Sequence, residues 1–231
     1  NKGTAEPQYG DRPYSGLLSL GFFKGWKGYL ADDYLELTLG LVGPDSGAEY
    51  AQTKVHELLG QMLPKGWKWQ LHNEPVAQIT YYKSVSHKIN PFVEYKPFAG
   101  INAGNYLVSG ELGNVIRVGY NLPDWFSPFI GTLSDVSGQR RKGKKWHAYT
   151  FLGTTCQAKA WDMSLQGNLL NRKHNEVTIA DPNRFVAKGY FGLCIGFYGV
   201  EITATHFEMT DEWDTQPRAN RYDGIQAAYH W

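Results

Sequence analysis

The stretch that decides the fold is the final one, residues 222–231, YDGIQAAYHW. Ile225, Ala227, Tyr229 and Trp231 stand at alternate positions and form one apolar stripe that ends on the terminal aromatic. A period of two puts successive side chains on opposite faces of a strand, so the segment is extended with one apolar face. The same period recurs along the whole chain. Leu35, Leu37, Leu39 and Leu41 oppose Tyr34, Glu36, Thr38 and Gly40. Val93, Tyr95, Ala99 and Ile101 oppose Glu94, Lys96 and Asn102, and Val200, Ile202 and Ala204 oppose Glu201, Thr203 and Thr205. Further alternating segments cover 14–22, 77–81, 106–118 and 184–197, and 146–160 reads as a strand with untidy alternation. That makes nine strands, with short hairpin turns expected at Gly104-Asn105 and Phe197-Tyr198-Gly199. No linker-like boundary and no repeat divides residues 1–231, which read as one domain.

Alternation alone does not separate two all-β architectures. A soluble sandwich turns its apolar face inward and a barrel in lipid turns it outward, from the same sequence pattern. Strand length and the last ten residues separate them. Several segments reach about ten residues, which suits strands tilted across a bilayer. A terminal aromatic preceded by alternate apolar positions resembles the C-terminal strand of bacterial outer-membrane barrels, the strand that engages the barrel assembly machinery. The reading is therefore an all-β, antiparallel transmembrane β-barrel whose charged residues face a polar lumen.

Composition agrees and excludes several classes. The chain holds 15 Tyr, 11 Phe, 8 Trp and 26 Gly, a mixture suited to aromatic girdles or to a sandwich. A net charge of +1 gives no pull toward nucleic acid. The basic run Arg140-Arg141-Lys142-Gly143-Lys144-Lys145 reads as a solvated or phospholipid-facing loop, with Trp125 and Phe126 as interface anchors. No run of about 18 apolar residues exists for a membrane-spanning helix. No secretory leader heads the chain, which is read as mature, cytosolic or trimmed. Cys156 and Cys194 match no metal-ligand spacing and leave open one disulfide or two ordinary thiols.

One segment breaks the strand pattern. Between Leu41 and Glu74 lies LVGPDSGAEYAQTKVHELLGQMLPKGWKWQLHNE, a polar insertion with a helical period inside it. Ala48, Ala51, Val55, Leu58 and Met62 recur at three- and four-residue spacing and would share one helix face. Gln52 and His56, four apart, sit one turn above each other on the neighbouring face. The residue pattern alone leaves His56 as either a base or a solvated histidine. Residues 43–74 are thus expected to form a helix-bearing loop at one rim.

Four motifs in order then carry a family resemblance: Gly10-Asp11-Arg12-Pro13-Tyr14-Ser15-Gly16, Val42-Gly43-Pro44-Asp45-Ser46-Gly47, the helix with Gln52 and His56, and Gly66-Trp67 followed by Leu71-His72-Asn73-Glu74-Pro75. Together they resemble the lipid A 3′-O-deacylase family of Gram-negative outer membranes. The resemblance implies a twelve-stranded barrel with its site between the wall and a helix in an extracellular loop. It implies hydrolysis of the 3′-linked acyloxyacyl ester of lipid A with calcium required. His56 matches the family's general base, Gln52 the glutamine one turn earlier, and Asp11 and Arg12 the pair beside the site. The family's first strands, with an Asn-Asp pair of the calcium site, match nothing in residues 1–231. N-terminal strands are therefore expected to be missing, and the metal ligands stay unassigned. Counting strands from a periplasmic C-terminus puts 121–145 at the end opposite the helix.

The chemistry is consistent with those residue types. A neutral imidazole can take a proton from water, and a cation can polarise an ester carbonyl. Calcium wants oxygen donors, and no clustered His or Cys set suits zinc instead. No G-x-S-x-G elbow suggests a serine nucleophile. Arg12 reads equally as a binder of lipid A phosphate or as a loop ion pair with Asp11. His72, Asn73 and Glu74 read as loop anchors. Lipid A, or lipopolysaccharide, and outer-membrane lipid are the expected partners. The alternative is a catalytically silent barrel acting as a structural or partner-binding subunit of a membrane-protein complex.

Overall fold

Ten strands carry the chain in the computed structural model, which describes residues 5–7, 9–123, 145–171 and 179–229. They are β1 (Leu17–Lys27), β2 (Asp32–Val42), β3 (Glu74–Ser84), β4 (His87–Asn90), β5 (Val93–Gly104), β6 (Leu107–Tyr120), β7 (Trp146–Asp162), β8 (Phe185–Phe197), β9 (Val200–Met209) and β10 (Arg221–Tyr229). Nine follow one another in the order β1-β2-β3-β5-β6-β7-β8-β9-β10, and the short β4 pairs with β5 off that path. All neighbours are antiparallel. Two helices interrupt the strands, α1 (Ala48–Leu58) and α2 (Met163–Gln166). Among the described residues, β1 and β10 each pair with a single strand.

The faces point as a lipid barrel requires. On β2, Leu35, Leu37 and Leu39 are 43%, 42% and 46% exposed, while Tyr34, Glu36 and Thr38 between them are buried. Ile79, Ile101, Leu112, Leu152, Leu193 and Ile202 are likewise turned outward. Leaving one such side chain in water forgoes roughly 1.5–3 kcal/mol of burial. A wall covered with them is stable where the surrounding solvent is hydrocarbon.

The interior is polar and filled. Arg117 donates through Nε to Glu94 at 2.7 Å, and Lys96 Nζ meets Asp32 at 2.8 Å. Tyr82 donates to Glu111 at 2.8 Å, and Thr80 to Asn102 at 2.8 Å. Charges cut off from water are retained when paired in this way. Beside them Tyr149, Phe151, Tyr190 and Phe207 form a column with successive ring centroids 6.2–6.3 Å apart. A side chain at Gly192 would collide with the Phe151 ring, so that glycine gives the aromatic its seat.

Two expectations shift. The first strand, expected over 14–22, begins at Leu17, because Tyr14 to Gly16 dock on the loop before β3. The untidy 146–160 segment is a 17-residue strand. Its inward face carries Tyr149 and Phe151 and its outward face Thr150 and Thr154, which blurs the apolar period. Its register with β6 also slips between Val108 and Ser109, where Ala160 is the extra residue.

Pairing sorts the connections to two ends. The segment before β1, the 43–73 loop, the turn at Asn105-Tyr106, the β7–β8 connection and the β9–β10 connection share one end. Asn121 and Lys145, which flank the β6–β7 connection, lie at the other, as the strand count required. Trp125, Phe126 and Arg140 to Lys144 lie outside the described residues, as does Trp231. Cys156 faces outward and Cys194 is buried inward, and both are free thiols.

Candidate active site at the helix end of the wall

The four sequence motifs meet in space, and their glycines show why. Gly16 lies where a side chain would strike Ser46 and Ala48, so the segment before β1 touches the start of α1. Gly43, at φ 113°, leaves no room for a Cβ beside Asn73, and it donates to the Gly16 carbonyl at 3.0 Å. Gly66 packs under the Tyr14 ring, and Leu71 donates to the Tyr14 carbonyl at 2.9 Å. Asn73 Oδ1 accepts from the Asp45 amide at 3.0 Å.

Helix α1 packs by its polar face. His56 is its one buried residue, while Val55 and Leu58 are 51% and 86% exposed. The apolar stripe is thus turned outward, and it stops short of Met62, which was expected to share it, because the helix ends at Leu58. There Gly60, at φ 63°, reverses the chain, with its amide on the Glu57 carbonyl and the Gln61 amide on the His56 carbonyl. This left-handed glycine turn is a common helix stop. It swings Met62 back, so that the Met62 carbonyl lies 2.7 Å from His56 Nδ1. A carbonyl only accepts, so Nδ1 carries a proton. In a neutral ring, Nε2 is then the basic nitrogen.

Gln52, one turn earlier, accepts from Trp67 Nε1 at 3.1 Å. Trp67 is buried and meets Tyr14 edge-on, with ring centroids 5.2 Å apart. Burial pushes the Tyr14 phenol up, the Gly66 amide pulls it back, and Asp11 adds to the rise. Tyr14 and Trp67 stood inside the quoted motifs, yet no role attached to them in the sequence.

Arg12 points elsewhere. Its Nη2 meets Glu212 Oε2 at 2.6 Å, and its guanidinium lies 5.2 Å from the Trp213 ring centroid. Glu212 also meets Lys159 at 3.1 Å, and Lys159 meets Asp162 at 2.8 Å. Asp11 instead accepts from the Arg12 amide at 2.8 Å. Arg12 thus pairs with Glu212, 200 residues on, which ties the segment before β1 to the β9–β10 connection, and Glu212 in turn meets the end of β7 through Lys159. Glu212 gave no sequence signal beside Lys159 and Asp162, because it lies in the β9–β10 connection and they lie at the end of β7. Beside this cluster, burial pushes the Tyr106 phenol up to about 12, with Asp162 adding to the effect.

Loop anchoring falls to 72–74 as read. Asn168 exchanges hydrogen bonds with both backbone groups of His72, at 3.1 and 2.9 Å. Glu74 accepts from Asn105 at 3.1 Å and from the Leu170 amide at 3.1 Å.

Calcium takes six to eight oxygen donors, carboxylates foremost. Beside His56 and Gln52, the Met62 carbonyl and Gln52 Oε1 each already accept a hydrogen bond. Among the described residues, no group of three His, Cys, Asp or Glu side chains gathers at this rim. These two oxygens do not by themselves make a calcium site.

The family model described as outer membrane protein LpxR matches residues 1–231. Among solved structures, LpxR from Salmonella typhimurium is similar with a TM-score of 0.81 and 22% identity, over 98% of this chain and 76% of that one. No curated protein matches the chain.

Proposed function

The chain belongs to the LpxR family of outer membrane proteins, and from that premise we propose that it hydrolyses the 3′-linked acyloxyacyl ester of lipid A, with His56 as the base. The carrying observation is the hydrogen bond from Nδ1 to the Met62 carbonyl, which leaves Nε2 free of a proton in the neutral ring. Nε2 takes a proton from water as the oxygen adds to the ester carbonyl. The tetrahedral adduct then collapses, and the imidazolium returns the proton to the departing sugar oxygen. Gln52, held by Trp67, orients the water or the ring. The outward apolar face of α1 at Val55 and Leu58, continued past the helix by exposed Leu59, Met62 and Leu63, is suited to the acyl chains of a lipid substrate. Lipopolysaccharide in the surrounding leaflet is then the partner.

Calcium dependence, carried by the resemblance, is a separate proposal: adding a calcium chelator to the purified protein is expected to stop lipid A turnover, and undiminished turnover would sink it.

The test of the main proposal is lipid A mass spectrometry after expression in a Gram-negative host. Wild type is expected to remove one acyloxyacyl group, and His56→Ala to lower the rate on the order of 10²–10⁴-fold. Unchanged lipid A with the folded wild type would point to the silent structural barrel instead.

A further inference from the structure

At the end of the wall opposite α1, one cross-strand row reads His147, Gly196 and Glu201 on β7, β8 and β9. Cys194 lies one pleat further along β8, on the same inward face as Gly196. His147 Nε2 stands 2.7 Å from Glu201 Oε2 and 3.9 Å from Cys194 Sγ. The three donor atoms lie within 4.8 Å of one another, and all three residues are buried. Among the described residues this is the one such convergence of His, Cys and carboxylate.

Gly196 makes the convergence possible. A side chain at that position would occupy the space of the His147 ring. The imidazole lies over the bare backbone of β8, stacked on Tyr149 at 5.9 Å and 23°. His147 and Glu201, which flank Gly196 in the row, can thus reach each other across it.

We propose that His147, Cys194 and Glu201 form a site for a zinc-type divalent cation, separate from the rim site and independent of the hydrolysis proposed there. Imidazole, thiolate and carboxylate together suit a borderline-soft metal, while calcium and magnesium would leave the sulfur unused. Zinc bonds of about 2.0–2.3 Å set tetrahedral ligand atoms roughly 3.3–3.6 Å apart. The His147–Glu201 separation must open slightly and the His147–Cys194 separation must close slightly, both within the reach of small side-chain rotations. As the metal bonds form, the Cys194 thiol releases its proton to solvent, and the proton between His147 Nε2 and Glu201 leaves Nε2, with the ring's remaining proton on Nδ1. Water takes the fourth position. The bound ion ties β7, β8 and β9 together near their ends, His147 and Glu201 each being the second residue of its strand.

The test uses the full chain folded in detergent, stripped with a chelator and then titrated with Zn²⁺ or Co²⁺. Wild type is expected to retain about one equivalent of zinc, and its cobalt form to show a thiolate-to-cobalt charge-transfer band in the near ultraviolet. Cys194→Ser should abolish the band and weaken zinc binding at least tenfold. Gly196→Ala, which keeps all three ligands but displaces the imidazole, should also lose the metal. Heat-dependent gel mobility reports whether each variant is folded. Wild type that retains no zinc, or a folded Cys194→Ser variant that binds as wild type does, overturns the proposal and leaves a hydrogen-bonded His–Glu pair.

Discussion

The tautomer of His56 rests on a backbone carbonyl, so it can be tested without removing the imidazole. Gly60 has open space around its α-carbon but sits at φ 63°. Gly60→Val meets no steric neighbour yet strains the left-handed turn by about 1–2 kcal/mol. It should draw the Met62 carbonyl off Nδ1 and lower turnover, with Gly60→Asn close to wild type because asparagine tolerates that conformation. Nitrogen-15 spectra of the labelled histidine would show the Nδ1 proton in wild type and in the asparagine variant. Equal turnover in the valine and asparagine variants would remove the carbonyl from the argument. Gln52→Ala leaves Trp67 Nε1 without its acceptor. The loss of that bond costs about 1 kcal/mol, and turnover should fall less than in His56→Ala.

At the scale of elements, the helix loop is held by contacts on its polar side and leaves its apolar side exposed. Leu58→Glu is expected to leave folding unchanged, since Leu58 is 86% exposed. It should raise KM for lipid A in mixed micelles while kcat stays near wild type. An unchanged KM would detach the apolar face from substrate. The loops around α1 are stapled by Glu212, which binds both Arg12 and Lys159. Glu212→Gln leaves two cations near one neutral amide. Breaking buried pairs costs roughly 3–5 kcal/mol when both partners are enclosed; Arg12 is about one-third exposed, so the loss here should be smaller. Amide exchange should quicken at Asp11 to Gly16 and in α2, and not in the middle of the strands. Uniform quickening would mean that the staple supports the wall itself.

At the scale of the whole molecule, the wall asks for lipid on one side and fills its own interior on the other. Leu152 is outward and 59% exposed near the middle of β7. Leu152→Arg should cost about 2–4 kcal/mol of stability in bilayers, read from denaturant titrations in vesicles. A cost near zero would contradict the placement of that face in hydrocarbon. The alternating period, the nine long strands and the last strand's stripe through Tyr229 were legible in the sequence, because the side-chain period of a strand is local geometry; the four-residue β4 was too short to show a period. The motif order likewise picked out the residues that meet at the rim, since their glycines answer close approaches that only glycine permits. Which face of α1 packs was not legible. The apolar stripe at 51, 55 and 58 has the spacing of a buried face, yet a helix beside a membrane gains nothing by hiding it from lipid. The partner of Arg12 and the His147–Cys194–Glu201 convergence were hidden for another reason. Their members come from separate connections or separate strands, and only the register of the sheet brings them within bonding distance. The sequence by itself therefore determined the strands, their two faces and the identity of the rim motifs. Tertiary structure alone decided which polar groups meet, because inter-strand distance has no counterpart in sequence separation.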